Sequence, residues 1–300
     1  MDAFISHSTR TETVEGRITM APPAKINLSL LVQAKREDGY HALHSIIATI
    51  SLKDRLTLAA TTTGGIRFST TGIDTPAGHD NIVTKAAQLI ANHCDQPINV
   101  QITLEKNIPT GAGLGGGSSD AASCLMGLNK LFSLNIPLSQ LAIMAAQLGC
   151  DVPFFLYGPV AQCTGCGEIV TPLTARCQLN ILLITPQIEI PTHLIFKHFK
   201  PNKIQTEKQL QEIETHITNH QLNALAQMGY NNLTDTCMAQ FEQLATLKKE
   251  LAAQNVGPIF LSGSGSTLYV LSSARVALEE MKKKVHKLGC NAQIVHFLQS

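Results

Sequence analysis

The sequence predicts an α+β protein of two domains, on three observations. Strand-like and helix-like segments are interleaved along the chain rather than gathered in one half. A strand pattern runs into a loop with five glycines in seven residues, Gly111 to Gly117, and out into an amphipathic helix. Beyond Thr174 a second series begins, with a buried strand, several helices and a closing helix–strand pair. The 300 residues suffice for one large or two ordinary domains whose core needs no staples.

Taken in order, Met1 to Arg17 is polar without an apolar run, which predicts a loosely ordered extension (residues 1–17) and excludes a secretory signal. Residues 18–176 are expected to form the first domain and residues 177–300 the second. Ile26 to Gln33 and Ile46 to Leu58 are rich in β-branched residues and leucine, and read as two long strands. Asp80 to His93 carries Ile82, Ala86, Leu89 and Ile90 at helical spacing. Val100 to Lys106 alternates as a strand; after the glycine loop, a helix beginning at Ser118 places Ala121, Leu125, Leu128 and Phe132 on one face. Ser139 is the expected cap of the next helix, which stops at Gly149. In the second half, Ile181 to Ile184 reads as a buried strand. Helices are expected over Thr206 to Asn219, Gln221 to Met228 and Leu233 to Gln254. A glycine–serine turn, Ser262 to Ser266, separates two strands, and a helix from Ala274 to Leu288 leads to a last strand, Ala292 to Phe297.

Composition narrows the function. With 44% apolar and 15% charged residues, the chain reads as a compact soluble globule. The net charge of +1 and the lack of a basic block argue against nucleic acid, and Lys282 to Lys284 reads as a solvated helix face. No stretch approaches the ~18 apolar residues that span a bilayer. The eight cysteines are scattered, and only Cys163 and Cys166 form a CxxC pair. A zinc site needs a second ligand pair, and Cys163 lies in a strand pattern rather than at a redox turn, so the pair reads as structural. The expectation is a reduced, cytoplasmic chain.

The segment Ile108-Pro-Thr-Gly-Ala-Gly-Leu-Gly-Gly-Gly-Ser-Ser-Asp120 is the most informative. So many glycines cost chain entropy, which implies a need for unusual backbone conformations or close approach. Backbone amides from Pro109 and Thr110 through Gly111, Ala112, Gly113, Leu114, Gly115, Gly116 and Gly117 can wrap an anion, proline contributing shape rather than an amide. The helix start adds free amides, its dipole and the hydroxyls of Ser118 and Ser119. A triphosphate suits this site, and ATP is the expected ligand. The Walker A lysine is missing, since Gly116 is followed by Gly117 and Ser118. Gly111, Gly113 and Gly116 also fit GxGxxG, which leaves a nicotinamide-dependent oxidoreductase as an alternative. However, Ala121 to Cys150 contains no acid to hold a ribose.

Three segments resemble the motifs of the galactokinase, homoserine kinase, mevalonate kinase and phosphomevalonate kinase superfamily. They are Pro23-Ala-Lys-Ile-Asn-Leu28, the loop Pro109 to Ala122, and Leu261-Ser-Gly-Ser-Gly265. Arg36-Glu-Asp-Gly-Tyr-His41 and Leu148-Gly-Cys-Asp-Val-Pro-Phe154 narrow the resemblance to its 4-diphosphocytidyl-2-C-methyl-D-erythritol kinase branch. The resemblance extends from about Ala21 to near the C-terminus. It implies two α+β domains, the first similar to the second domain of ribosomal protein S5, with the active site in the cleft between them. It also implies transfer of the γ-phosphate of ATP, with Mg²⁺, to the 2-hydroxyl of a cytidylyl sugar alcohol in non-mevalonate isoprenoid synthesis. A mevalonate- or homoserine-type kinase is the alternative within the superfamily.

The same resemblance gives roles to residues that are ambiguous alone. Asp151, otherwise a turn or cap aspartate, is implied as the general base for the attacking hydroxyl. Lys25, otherwise a solvated strand end, is implied as its cationic partner near the γ-phosphate. Asn27 lies two residues on, so its side chain shares the lysine's strand face, and it is expected to bind substrate hydroxyls. Tyr40 and His41 are implied to read cytosine by stacking and hydrogen bonding, with Phe196 in Ile190-Pro-Thr-His-Leu-Ile-Phe196 as a second wall. Thr192 and Asn81 are candidates for substrate and adenine, or simply helix caps. The sequence assigns no magnesium ligand; Asp120 adjoins the loop, but the helix dipole alone also favours an acid there.

Overall fold

The structure, a computed structural model, describes residues 11–298 except 15, 38, 77 and 175–177. Most of the expected extension, and the expected boundary at 176/177, lie outside the described residues. The chain opens with a hairpin of β1 (Thr11–Val14) and β2 (Arg17–Met20). It bends at Pro22 into β3 (Pro23–Lys35), which returns as β4 (His41–Lys53). After Asp54 it re-enters the first sheet as β5 (Arg55–Ala60) and continues through β6 (Ile66–Gly72), helix α1 (Ile82–His93) and β7 (Val100–Lys106). The glycine loop follows, then α2 (Gly116–Leu131), α3 (Leu138–Leu148), the short α4 (Phe154–Tyr157) and the hairpin β8 (Val160–Thr164)–β9 (Ile169–Pro172). The second half contains β10 (Asn180–Thr185), α5 (Thr192–His198), α6 (Lys203–Thr218), α7 (Leu222–Met228), α8 (Thr234–Gln240) and α9 (Glu242–Ala253). It ends with β11 (Phe260–Leu261), β12 (Leu268–Ser272), α10 (Arg275–Lys287) and β13 (Asn291–His296).

The strands form three sheets, ordered β1-β2-β5-β7-β6, β3-β4-β8-β9 and β11-β12-β10-β13. In the first sheet β7 is antiparallel to β5 and parallel to β6. This mixed arrangement is not the doubly wound parallel sheet that a dinucleotide fingerprint requires.

Four expectations need correction. The single strand expected over Ile46 to Leu58 is two strands in different sheets. Asp54, 2% exposed, makes the break: its amide bonds the Pro22 carbonyl, and its carboxylate accepts the amides of Asn107 and Ile108 at 2.6 and 2.8 Å. A buried acid needs such donors, so the strand cannot run straight through it. The helix expected over Leu233 to Gln254 is interrupted at Phe241, whose φ of −124° and ψ of 85° are not helical. The helix assigned to Ser139 as cap starts earlier, with Pro137 at its N-cap and no side-chain cap. The helix after the glycine loop begins at Gly116 rather than Ser118, because Gly115 at φ 68° turns the chain into it.

Three apolar cores hold the layers together. The first packs the inner face of the opening sheet against α1 and α2, through residues such as Leu56, Ile102, Ala86 and Leu125. The second joins the β3–β4 sheet to the second half, with Ala24, Ile26, Leu28 and Ile46 against Ile181, Leu183, Ile213 and Leu225. The third lies between the last sheet and α5, α9 and α10, through Leu182, Ile195, Leu244 and Leu278. Each large aliphatic side chain buried in the middle core contributes about 1.5–3 kcal/mol. Together they weld the halves into one body, and Tyr269 adds a hydrogen bond of 2.8 Å to the Asn27 carbonyl across the junction.

Candidate active site

The outer edge of that junction is open. A cleft of about 1030 Å³ lies between the halves, bordered by Lys25, Asn27, Tyr40, His41 and Asp151 on one side and by Thr192, Phe196 and Phe199 on the other. A smaller cavity of about 340 Å³ lies over the glycine loop, with Asn81, Lys106, Asp120 and the residues from Pro109 to Ser118 in its walls. Gly113, Gly115, Ser118 and Thr192 border both spaces, so the two meet at the loop.

The loop is shaped by glycine at two close approaches. Gly113, at φ 75°, packs so tightly on the Ser262 carbonyl that a Cβ has no room. That contact is fastened by Ser262 Oγ donating to the Gly113 carbonyl at 2.9 Å and by the Thr267 amide on the Ala112 carbonyl at 3.2 Å. Gly115, at φ 68°, lies where a Cβ would stand 2.8 Å from Cγ of Lys25. Buried Ala112 and Leu114 anchor the loop from below. No side chain caps α2, so its first amides are left for a ligand. Ser118 faces both spaces, whereas Ser119 is 0% exposed and borders neither.

Lys25 enters on β3, where its amide bonds the Leu114 carbonyl at 2.9 Å. Its ammonium is 3.3 Å from Asp151 Oδ2 and donates to Asn27 Oδ1 at 2.7 Å. Asn27 in turn donates to Ser45 Oγ at 2.8 Å, and Ser45 donates to the Ser29 carbonyl at 2.6 Å. The two-residue spacing on the strand thus brings Lys25 and Asn27 together on one face. Asp151 reaches them from the turn between α3 and α4; its side chain is 36% exposed against 4% for the lysine's. A buried, oriented cation beside a more accessible carboxylate is an arrangement suited to proton removal next to a developing negative charge.

At the far end of the cleft, His41 lies 5.7 Å from the Phe196 ring and 5.9 Å from that of Phe199. Its Nδ1 donates to the Gln33 carbonyl at 2.9 Å, which makes Nε2 an acceptor in the neutral ring. Tyr40 borders the same cleft and is 60% exposed. Thr192 begins α5 and shares a hydrogen bond of 2.9 Å with Ser264. Asn81 borders the smaller cavity, but its side chain is engaged locally. Oδ1 caps α1 through the Val83 amide at 2.9 Å, and Nδ2 bonds the Pro76 carbonyl at 2.8 Å.

Sequence reasoning missed the charge cluster beneath the loop. Lys106 bonds the carboxylate of Asp54 and sits 2.9 Å from Asp120 Oδ2, with all three residues at most 2% exposed. Burial raises Asp120 above the usual carboxylate range; Lys106 pulls it down, while the Asp54 charge adds to the rise. The available signal was the acid two residues before Leu56, at a position where the alternation of Leu56 and Leu58 calls for an apolar inward side chain. The CxxC reading also missed a partner. Cys163 is 0% exposed in the first core, as a strand cysteine should be, but Cys166 contacts Cys150.

Residues 81–159 match the family model described as GHMP kinases N terminal domain. A curated 4-diphosphocytidyl-2-C-methyl-D-erythritol kinase of Dehalococcoides mccartyi is 34% identical, over 94% of this chain and 98% of the relative. One of the same name from Syntrophotalea carbinolica is 32% identical over 87% and 93% respectively. A crystal structure of 4-(cytidine 5'-diphospho)-2C-methyl-D-erythritol kinase superposes with a TM-score of 0.73 at 31% identity, covering 93% of this chain and 99% of that one. The homoserine kinase of Cytophaga hutchinsonii, at 17% identity and a TM-score of 0.74 over 96% of each chain, shares the fold. With a third of its residues identical over nearly the full length of these relatives and the same two-domain α+β architecture, the chain belongs to the 4-diphosphocytidyl-2-C-methyl-D-erythritol kinase family.

Proposed function

We propose that this protein transfers the γ-phosphate of ATP to the 2-hydroxyl of 4-diphosphocytidyl-2-C-methyl-D-erythritol, in the cytoplasm, as a step of isoprenoid precursor synthesis. The observation that carries the reading is the meeting of the two spaces at the glycine loop, with the Lys25–Asp151 pair beside the junction. ATP enters the smaller cavity, its phosphates held by the amides at the start of α2 and by Ser118. The sugar alcohol lies in the larger cleft. Asp151 takes the proton of its hydroxyl, and Lys25 stabilises the negative charge that develops on the attacking oxygen and the γ-phosphate. Asn27 orients the hydroxyls and holds Lys25 in place. Cytosine lies against Phe196 and Tyr40; Nε2 of His41 accepts from its exocyclic amine. Thr192 closes the cleft from the second half. Asn81 supports the adenine side from the start of α1, which it caps.

The residues present fit a magnesium ion. Among the described residues, Asp120 Oδ1 is buried without a hydrogen-bond partner, and Asp120 borders the smaller cavity. Its carboxylate is the group that would hold the ion. Among the described residues no three potential ligands cluster, consistent with the usual sharing of Mg²⁺ between one or two protein oxygens and the phosphates. When bound, the ion supplies positive charge to the β- and γ-phosphate oxygens.

An ADP-release assay with the cytidylyl sugar alcohol, mevalonate and homoserine tests the assignment. Turnover is expected with the cytidylyl compound; turnover with only one of the others would place the activity elsewhere in the superfamily.

A further inference from the structure

The wall of the large cleft contains two cysteine sulfurs that the phosphoryl-transfer chemistry does not use. Cys150 immediately precedes Asp151, and Cys166 lies in the turn of the β8–β9 hairpin; both border the cleft. Their Sγ atoms are 2.8 Å apart. The turn is packed onto Cys150 itself, since a Cβ at Gly167 would be 3.4 Å from the cysteine's Cβ and carbonyl oxygen. The turn is also anchored to β4 and braced from within. The Leu43 amide bonds the Gly165 carbonyl at 2.8 Å, and the Cys166 amide bonds Glu168 at 2.6 Å. The nearer sequence neighbour, Cys163, faces the first core and is 0% exposed.

We propose that Cys150 and Cys166 form a dithiol modification site, which a peroxide converts to a disulfide that suppresses turnover. One thiol gives up its proton, and its sulfur attacks a peroxide oxygen. The O–O bond breaks, leaving a sulfenic acid and, with hydrogen peroxide, one water. The second sulfur then displaces the hydroxyl, forming the S–S bond, and its proton leaves with that hydroxyl as a second water. A disulfide needs its sulfurs only roughly 0.8 Å closer than they stand, so neither backbone has far to move. Proximity favours this site rather than thiolate character. Burial raises both thiols above their ordinary range; Asp151 and Glu168 add to the rise at Cys150, and the hydrogen bonds to Cys150 and Glu168 add to it at Cys166. The site therefore responds to sustained oxidant rather than to a brief pulse. The effect on turnover follows from position, because the bond constrains the residue next to Asp151.

The test is a peptide map of the purified full-length protein after hydrogen peroxide, with remaining thiols blocked by iodoacetamide and digestion without reductant. A Cys150–Cys166 linked pair, two hydrogens lighter than the separate peptides and cleaved by dithiothreitol, is expected. Kinase turnover should fall in step with the linked fraction, by on the order of tenfold at full linkage, and return with dithiothreitol. In Cys166→Ser the linked peptide and the peroxide-dependent loss should both vanish. Separate alkylation of Cys150 and Cys166 after peroxide, or a bond between Cys163 and Cys166, overturns the site. Full turnover by the linked protein overturns its control of activity. The turnover arm rests on the kinase reading, but the map does not, so the two can fail separately.

Discussion

Alanine at Gly113, compared with alanine at Gly111, separates backbone strain from packing in the phosphate loop. Both glycines lie in the left-handed region, at φ 75° and 63°. A Cβ there costs about 1–2 kcal/mol, offset by the ~0.4–1 kcal/mol gained from a stiffer unfolded chain. At Gly111 nothing lies within 4 Å of the added methyl, so the net loss should be about 1 kcal/mol or less. At Gly113 the methyl would overlap the Ser262 carbonyl oxygen and stand 3.0 Å from that of Gly265, both backbone atoms. Relief requires the two loops to part by about 1 Å, which breaks the bonds from Ser262 Oγ and the Thr267 amide. At about 1 kcal/mol each, these bring the expected loss to about 3 kcal/mol. The displaced amides should also weaken ATP binding by on the order of 10²-fold. Urea unfolding with linear extrapolation measures the first quantity and calorimetric titration of ATP the second. If Gly113→Ala is no less stable than Gly111→Ala and binds ATP as tightly, the Ser262–Gly265 turn does not hold the loop.

Other substitutions probe the rest of the site and the fold around it. Asp151→Asn should leave the ATP dissociation constant nearly unchanged while cutting kcat by on the order of 10²–10⁴. Lys25→Ala should also lower kcat, and the double variant should lose much less than the product of the single losses; fully multiplicative effects would uncouple the pair. Lys106→Met leaves two buried carboxylates without their cation and should cost about 3–5 kcal/mol in urea unfolding, with partial recovery on adding Asp120→Asn. A loss below about 1 kcal/mol would remove the cluster from the loop's foundation. Burial lowers the His44 pKa more than the hydrogen bond and charge of Glu214 raise it. Its contribution to stability is therefore complete above the unfolded value near 6.5 and lost as pH falls from there through the lower folded value. Unfolding midpoints taken from about pH 7.5 to 5 should show that decline in the native protein and a flatter profile in His44→Gln.

Much of this was visible in the sequence because it is local. Glycine's backbone freedom is a property of each residue, so the phosphate loop and the strand and helix around it could be read directly. The alternation of a strand likewise put Lys25 and Asn27 on one face, where they are now seen hydrogen-bonded. Other features depend on residues far apart in the chain, and no local pattern encodes their meeting. Lys25 finds Asp151 only because β3 and the turn after α3 border one cleft. Asp54, Lys106 and Asp120 each read alone as an ordinary charge, yet the fold closes them into a dry cluster where each must satisfy another. The same cluster cuts the strand pattern at Asp54, which hydrophobicity alone runs through. Cys166 has its sequence neighbour turned into the core and touches Cys150 instead. A strand sends neighbouring side chains to opposite faces and a turn redirects the chain, so proximity in sequence does not settle which sulfurs meet.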